Sequence, residues 1–320
     1  MVGRSSGRVA ISSSLSYLET TLASEILPPK ESRFRKGSVV SSAPNFFQRN
    51  EFLLRRLHSL LGLVPVGAYV IVHLLVNASV FASPKLFQRL VFHIHSLGPI
   101  LPLVEWTFIF LPIIFHGVYG LIITKGGHPN TQAYPYNSNF RYTMQRATGL
   151  IAFLFIAWHV FQMHGWIHAE FWEKYVAHPL GGAEFSPYNA ASSGAEAMQG
   201  SIIFPVLYAI GVLATVFHLS NGIFTFGITW GLWVSPKAQE GAKLVANCLF
   251  VALSIAGMAS IVGLYTMSSE QIAEVRVQED EAYQILSETG DILPNEHKHS
   301  KESEFYTNDD EEADSAESDR

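Results

Sequence analysis

Four histidines lie deep within long apolar stretches of the chain, one in each stretch. They are His73, His116, His159 and His218. An imidazole in hydrocarbon needs a hydrogen-bond partner or a bound metal, because lipid provides neither. Neutral imidazole is also a good ligand for iron and other transition metals. The first chemistry to weigh is therefore a metal centre inside a membrane.

The sequence around these histidines is repeated. Residues 115–120 read FHGVYG and residues 217–222 read FHLSNG, so Phe-His-x-x-x-Gly occurs twice. The stretches that lead to His73 and His159 correspond as well, each through a basic residue, a hydroxyl residue and a glycine: Arg56, Ser59 and Gly62 in one, Arg146, Thr148 and Gly149 in the other. This pattern predicts a two-helix hairpin used twice.

Five apolar segments must position these motifs. They lie near residues 59–82, 100–124, 147–167, 202–232 and 244–268, and each can cross the ~30 Å hydrocarbon core as a helix. Only 15% of the residues are charged, against roughly 25% in soluble domains. Unpaired backbone groups are excluded from lipid. The sequence therefore predicts an all-α, membrane-embedded bundle of five transmembrane helices, with two similar helix hairpins plus a fifth helix.

The segments outside the spans differ in charge. Fourteen Lys and Arg residues lie on the side of the N-terminus and seven on the other side, which predicts a cytoplasmic N-terminus and a C-terminus outside. Residues 269–320 hold 17 of the 27 acidic residues. We expect a disordered cytoplasmic extension at 1–46, the membrane domain at 47–268, and an acidic, largely disordered tail at 269–320. Residues 270–290 of this tail are predicted to form one helix.

Depth in the membrane sorts the four histidines into pairs. His73 lies 17 residues beyond Arg56 and 12 before Lys85, whereas His116 lies 17 beyond Pro99 and nine before Lys125. On helices of opposite direction these positions fall in opposite halves of the membrane. The same count pairs His73 with His159 and His116 with His218. Two pairs at two depths are typical of two b haems, each held by two histidines, which leaves no open position on the iron.

Other residues fit such sites. Gly120 and Gly222 lie on the faces of His116 and His218 and would leave room for a porphyrin edge. Arg56 and Arg146 are candidates for binding haem propionates. Glu105 is the only acidic residue in a span, and at three turns before His116 it is expected on that helix face. Its carboxyl could exchange protons with a quinone.

Several alternatives remain open. Each histidine could be a packed, hydrogen-bonded residue, each glycine a helix-packing residue, and Glu105 an interfacial acid. A zinc site would need four ligands in one place, whereas these histidines are divided between two depths. Cys248 is the only cysteine, so no covalent Cys-x-x-Cys-His haem attachment exists. We expect His58 to play at most a supporting role. Five further histidines are expected to be solvated: His93, His95, His164, His168 and His178.

The motifs also carry a family resemblance, which covers residues ~50–267. The stretches NEFLLRRLHSLLGLVPVGAYVIVHLLVN, FLPIIFHGVYG, QRATGLIAFLFIAWHVF and VFHLSNGIFTFGITWG resemble the cytochrome b558 membrane-anchor subunit of succinate dehydrogenase. The resemblance is to the single-chain, two-haem bacterial type. It implies that His116 and His218 bind the iron of the proximal haem, and His73 and His159 that of the distal haem.

The resemblance also implies a function. The subunit would anchor a flavoprotein and an iron–sulfur protein at the cytoplasmic face of a bacterial membrane, and would not itself oxidise succinate. Electrons would pass through the two haems to a quinone, usually menaquinone, near the outer face. No nucleic-acid partner is implied. Related fumarate reductases have a glutamate two residues before one proximal ligand, but Val216 stands there, so a compensating proton path of that design is in doubt.

Other functions remain. The same ligands could serve a fumarate reductase, because the direction depends on potentials that a sequence does not contain. A cytochrome b subunit of a hydrogenase or formate dehydrogenase is a further alternative. Outside redox chemistry, the chain could be a multi-pass transporter or scaffold whose histidines only pack.

Overall fold

The computed structural model describes residues 46–127, 131–295 and 298–305. Within these ranges every regular element is helical. The predicted extension at 1–46 lies outside the described residues apart from Phe46, which begins a short helix, Phe46–Arg49. This helix falls in a unit separate from the spans.

Five helices in the described part are long and apolar enough to cross a membrane. Span 1 is Glu51–Ala82, span 2 Gly98–Lys125, span 3 Asn137–His164, span 4 Ile203–Thr229 and span 5 Pro236–Tyr265. The predicted number of spans is therefore confirmed. Span 1 begins eight residues earlier than expected, because the polar turn at Glu51–Arg56 continues the same helix.

The spans pack as one bundle. Span 4 packs against spans 3 and 5, and span 5 also packs along the second half of span 1. Span 1 has a turn at Val64, and Pro65 begins its second half, as expected where proline removes a backbone donor. Val66, Leu74, Val212, Val216 and Leu253 are buried between these helices. Many large apolar side chains on the outer surfaces of the spans are exposed, as lipid contact requires.

Span 2 is irregular. Its α-helices Leu101–Glu105 and Leu111–Lys125 are separated by a π-helical turn, Trp106–Phe110. A π turn takes one more residue than an α turn, so it rotates everything before it by about 100°. The expectation that Glu105 shares the face of His116 is therefore corrected.

Three helices form a layer at one end of the bundle, which we call the cap: Pro84–His95, Ala190–Gln199 and Ser269–Glu288. The last of these is the tail helix that the sequence predicts, and Ser268 and Gln271 close its first turn in a capping box. Phe92, Tyr188, Tyr283 and Ile292 are buried together. The described residues of the tail include 289–295 and 298–305 beside this helix, and residues 306–320 lie outside the described part.

Buried carboxylates attach the tail helix to the rest of the cap. Glu279 accepts hydrogen bonds from the backbone N–H of Ala191 at 2.7 Å and the hydroxyl of Ser192 at 2.5 Å. Asp280 accepts from the side chains of Asn189 at 2.8 Å and Ser303 at 2.7 Å. Glu279 therefore caps the N-terminus of helix Ala190–Gln199, where a negative charge is favourable. Burial nevertheless raises the pKa of Glu279 to about 7.

Candidate functional site

The four span histidines meet in two pairs. The ring centroids of His116 and His218, from spans 2 and 4, are 5.9 Å apart with the planes at 84°. Those of His73 and His159, from spans 1 and 3, are also 5.9 Å apart, at 67°. These are the pairs that depth arithmetic predicts, and each joins two helices that are distant in sequence.

The Nδ1 atom of each histidine faces a polar group of the protein. For His116 it is the carbonyl oxygen of His58 at 2.9 Å, and for His218 the carbonyl oxygen of Gln145 at 3.0 Å. The Nδ1 of His159 lies 3.0 Å from the Tyr208 hydroxyl. The Nδ1 of His73 lies 3.5 Å from the Tyr69 hydroxyl and 3.4 Å from the Asn77 amide, so it is the least firmly held.

The Nε2 atoms of the four histidines have no comparable contacts. Among the described residues none of the four makes a hydrogen bond through Nε2. A metal-binding histidine usually has this arrangement, with one nitrogen held by the protein and the other carrying a free lone pair. Two such imidazoles per site are the donor set of a six-coordinate haem iron. Within the described part of the chain, no three His, Cys, Asp or Glu side chains converge as an ion site.

Two glycines make room for the rings of His116 and His218. A Cβ at Gly62 would lie 2.1 Å from Cε1 of His116, and a Cβ at Gly149 would lie 2.7 Å from Cε1 of His218. Both distances are far below van der Waals contact. These glycines belong to the sequence repeat, but their role was not predicted.

The two glycines that were predicted to leave room lie elsewhere. A Cβ at Gly120 would be 3.2 Å from Cε1 of His58, a tight approach, and one at Gly222 would be 3.7 Å from the Gln145 amide, an ordinary contact. Neither lies against the ring of its own motif histidine. Their part in making room for a porphyrin stays a prediction.

His58 is closer to the site than the sequence indicated. Its ring stacks on that of His116 at 4.0 Å with the planes 7° apart, and its carbonyl holds the His116 Nδ1. Tyr119, the tyrosine of FHGVYG, is buried against it at 5.9 Å. The Nδ1 of His58 is buried and has no hydrogen-bond partner among the described residues.

Arg146 and Arg56 lie toward the same end of the bundle as the His116–His218 pair, against the last turns of spans 2 and 4. The Arg146 guanidinium donates to the carbonyl oxygen of Ile123 at 2.8 Å, while its other terminal nitrogen is buried without a partner among the described residues. An unsatisfied buried cation donor is costly, and an anionic group would satisfy it. Arg56 donates to the carbonyl oxygen of Thr229 and lies over the Trp230 ring at 5.1 Å.

A series of hydrogen bonds connects Arg141 to the backbone of His218. Arg141 donates to Asn221 at 2.8 Å, and Asn221 donates to the side-chain oxygen of Gln145 at 2.7 Å. The Gln145 amide nitrogen in turn donates to the His218 carbonyl at 3.1 Å. Asn221, which replaces the tyrosine of the first motif, is thus a link in this chain.

Glu105 is half-buried at the cap end of span 2. Burial lowers the pKa of Lys298 in the tail, and the negative charge of Glu105 acts in the opposite direction. Lys298 approaches the Nδ1 of His95 at 3.3 Å. Burial also lowers the pKa of His95 to about 4, with a smaller contribution from Lys298. Lys298 of the tail therefore lies within electrostatic range of Glu105.

Three of the histidines expected in solvent are not simply solvated: His95, which approaches Lys298, and the pair His164 and His168. His164 and His168 face each other through their Nε2 atoms at 3.0 Å, and the Nδ1 of His168 lies 2.8 Å from Glu173. The ring of His164 also contacts Phe110 of the π turn at 5.8 Å. Helix Asn137–His164 ends between the two histidines, at Gly165 with a φ of 75°, so their contact depends on the turn there and not on helical spacing.

Five helices long and apolar enough to span a membrane define the chain as a multi-pass helical membrane protein. One curated protein, the succinate dehydrogenase cytochrome b558 subunit of Bacillus subtilis (strain 168), is 37% identical over 211 residues, which are 66% of this chain and 96% of the relative. No protein-family model matches the chain. The chain belongs to the family of succinate dehydrogenase cytochrome b558 subunits.

Proposed function

We propose that this chain anchors a succinate dehydrogenase in the bacterial cytoplasmic membrane and conducts its electrons to a membrane quinone. Membership of the cytochrome b558 family supports this proposal. The observation that carries it is the two histidine pairs. The Nδ1 atom of each histidine faces a polar group, and no Nε2 atom makes a hydrogen bond within the described residues. The flavoprotein and iron–sulfur subunits would bind at the cytoplasmic face, on the side of the N-terminus.

The chain's residues fit two b haems. His116 and His218 would hold one and His73 and His159 the other, and the bound haems would supply one-electron transfer without an open iron position. The carbonyls of His58 and Gln145 keep a proton on Nδ1 of their histidines. Gly62 and Gly149 leave space for the rings. The unpartnered nitrogen of Arg146 would bind a propionate.

Glu105 would move protons at the quinone. It lies at the same end of the bundle as His73 and His159, beside the π turn of span 2, and π turns are frequent at functional sites. A half-buried carboxyl at this place can deliver a proton to a reduced quinone and regain it from the cap side. The quinone would usually be menaquinone.

The purified complex tests the proposal. We expect the chain to copurify with a flavoprotein and an iron–sulfur protein, to contain two b haems per chain, and to reduce a menaquinone analogue with succinate. Absence of b haem, or copurification with a hydrogenase or formate dehydrogenase subunit in place of the flavoprotein, would overturn it.

A further inference from the structure

The Tyr208 side chain connects His159 to the cap. Tyr208 is in span 4 and only 5% exposed, and its hydroxyl lies 3.0 Å from the Nδ1 of His159 in span 3. The same hydroxyl donates to the side-chain oxygen of Gln162 at 2.9 Å. The amide nitrogen of Gln162, which is 1% exposed, donates to the carbonyl oxygen of Ala197 at 3.2 Å.

The carbonyl oxygen of Ala197 determines the donor and acceptor in each of these hydrogen bonds. Ala197 lies in the last turn of helix Ala190–Gln199, where a carbonyl has no partner within the helix. A carbonyl only accepts, so the Gln162 amide group must point to Ala197 and its oxygen to Tyr208. The single Tyr208 proton is then used on Gln162. The Tyr208 oxygen must therefore accept from His159, which places the proton on Nδ1.

We propose that Tyr208 and Gln162 are positioning residues that fix the tautomer of His159, so that its Nε2 lone pair faces the iron of one haem. This inference rests on the proposed function, in which His159 is an iron ligand. The inference adds a series of side-chain hydrogen bonds that connects helix Ala190–Gln199 of the cap to His159.

The other pair is held in a different way. His116 and His218 donate to backbone carbonyls, those of His58 and Gln145, which no substitution removes directly. A change at Tyr208 therefore acts on the His73–His159 pair alone. This selectivity separates a positioning role from a general loss of packing, which would disturb the whole bundle.

The test is a redox titration of the complex with Tyr208→Phe. Loss of the hydroxyl leaves the Nδ1–H of His159 without an acceptor, which makes the imidazole a weaker donor to ferric iron. We expect both haems to remain, the midpoint potential of one to rise, and the potential of the other to stay unchanged. Tyr265→Phe is the matched control, because the hydroxyl of Tyr265 in span 5 makes no hydrogen bond to another described residue, and it should change neither potential.

Substitutions of Gln162 give a second, independent readout. Without an acceptor in Gln162→Leu, the Tyr208 hydroxyl can turn and donate to Nδ1, which moves the histidine proton to Nε2 and blocks the iron. We expect this variant to lose one of the two b haems. Gln162→Glu should retain both, because a protonated carboxyl can accept from Tyr208 and donate to Ala197.

The outcomes separate the inference from the proposed function. Unchanged potentials in Tyr208→Phe, an equal shift of both potentials, or two haems with wild-type potentials in Gln162→Leu would overturn the inference alone. If Tyr208→Phe does not assemble, the two Gln162 variants decide by their haem content. A wild-type complex without b haem would overturn the proposed function itself.

Discussion

Each span histidine is a local cost that is offset by a partner on another helix. A single imidazole in lipid would be unfavourable, but each of the four has an Nδ1 contact and a facing ring. The same holds for Gly62 and Gly149, which weaken their helices yet lie against the rings of His116 and His218.

Gly62 provides the first prediction at this scale. In Gly62→Ala the new methyl group would occupy the place of the His116 ring, 2.1 Å from its Cε1, so we expect the haem of the His116–His218 pair to be lost or to become high-spin. Gly241→Ala in span 5 is the control, because a Cβ there meets nothing within 4 Å. Optical spectra of the two purified variants compare them, and normal bis-histidine spectra in Gly62→Ala would contradict the prediction.

The second prediction concerns the carboxyl group of Glu105. Glu105→Gln keeps the shape of the side chain and removes its proton exchange, so quinone reduction should fall on the order of 100-fold. Succinate-dependent reduction of a soluble dye and both haem spectra should be retained. Glu270→Gln, in the exposed first turn of the tail helix, should behave as wild type. Unchanged quinone reduction in Glu105→Gln would remove this carboxyl from the mechanism.

Sequence reasoning reached part of the site and missed part of it. The depth count and the repeat gave the four histidines and their pairing, since both depend on positions along single helices. The contacts of Tyr208, Gln162 and the His58 carbonyl join residues far apart in the chain, and their existence depends on how helices face each other. The π turn, which rotates Glu105 away from the face of His116, has no periodic signal in the apolar sequence around it.

Among the elements, the tail helix differs most from the sequence-based expectation. Its acidic composition indicated a largely disordered tail, but Glu279 and Asp280 are 2% and 5% exposed and bind residues 189–192 in the cap. Local composition gave the helix correctly. It did not give the docking, because that depends on the unpaired N–H groups at the start of helix Ala190–Gln199.

This docking should depend on pH. The pKa of Glu279 is raised by burial from 4.5 to about 7, so the protonated carboxyl stabilises the docked tail. That contribution is complete below pH 4.5 and decreases as the pH rises to about 7. Hydrogen exchange should show less protection of the tail helix at pH 8 than at pH 5.5. The difference should become smaller in Glu279→Gln.

Other titrating groups lie near Glu279, so the comparison with the variant is needed. Asp280 is adjacent in sequence, and the Nδ1 of His299 lies 3.9 Å from the Asp280 carboxyl. Burial lowers the pKa of His95 in the cap, so His95 stabilises the folded protein more at high pH and opposes the effect of Glu279. An identical pH dependence in wild type and Glu279→Gln would assign the effect to those groups and contradict the prediction.

At the scale of the whole molecule, the proposed function has the chain conduct electrons across the membrane without a proton path of the fumarate-reductase design. Val216 is fully buried where related fumarate reductases have a glutamate. With the N-terminus in the cytoplasm, electrons would leave the cell interior and protons would be taken from outside. An inside-negative potential then favours succinate oxidation, at about 2.3 kcal/mol per charge per 100 mV.

This arrangement predicts an effect of uncouplers. Collapse of the potential should slow succinate oxidation by menaquinone in intact cells and leave the detergent-solubilised complex unaffected. Acceleration of the intact-cell rate would contradict the predicted orientation or reveal another proton path.

The central claim is that the four span histidines hold two haems. A reduced-minus-oxidised difference spectrum of membranes tests it most directly, with His116→Ala and His159→Ala compared with wild type, and with His178→Ala as a control outside the spans. We predict a b-type α-band in wild type and in the control. Each span variant should lose the haem of its own pair. No b-type band in wild type, or one unchanged in both span variants, would contradict the account.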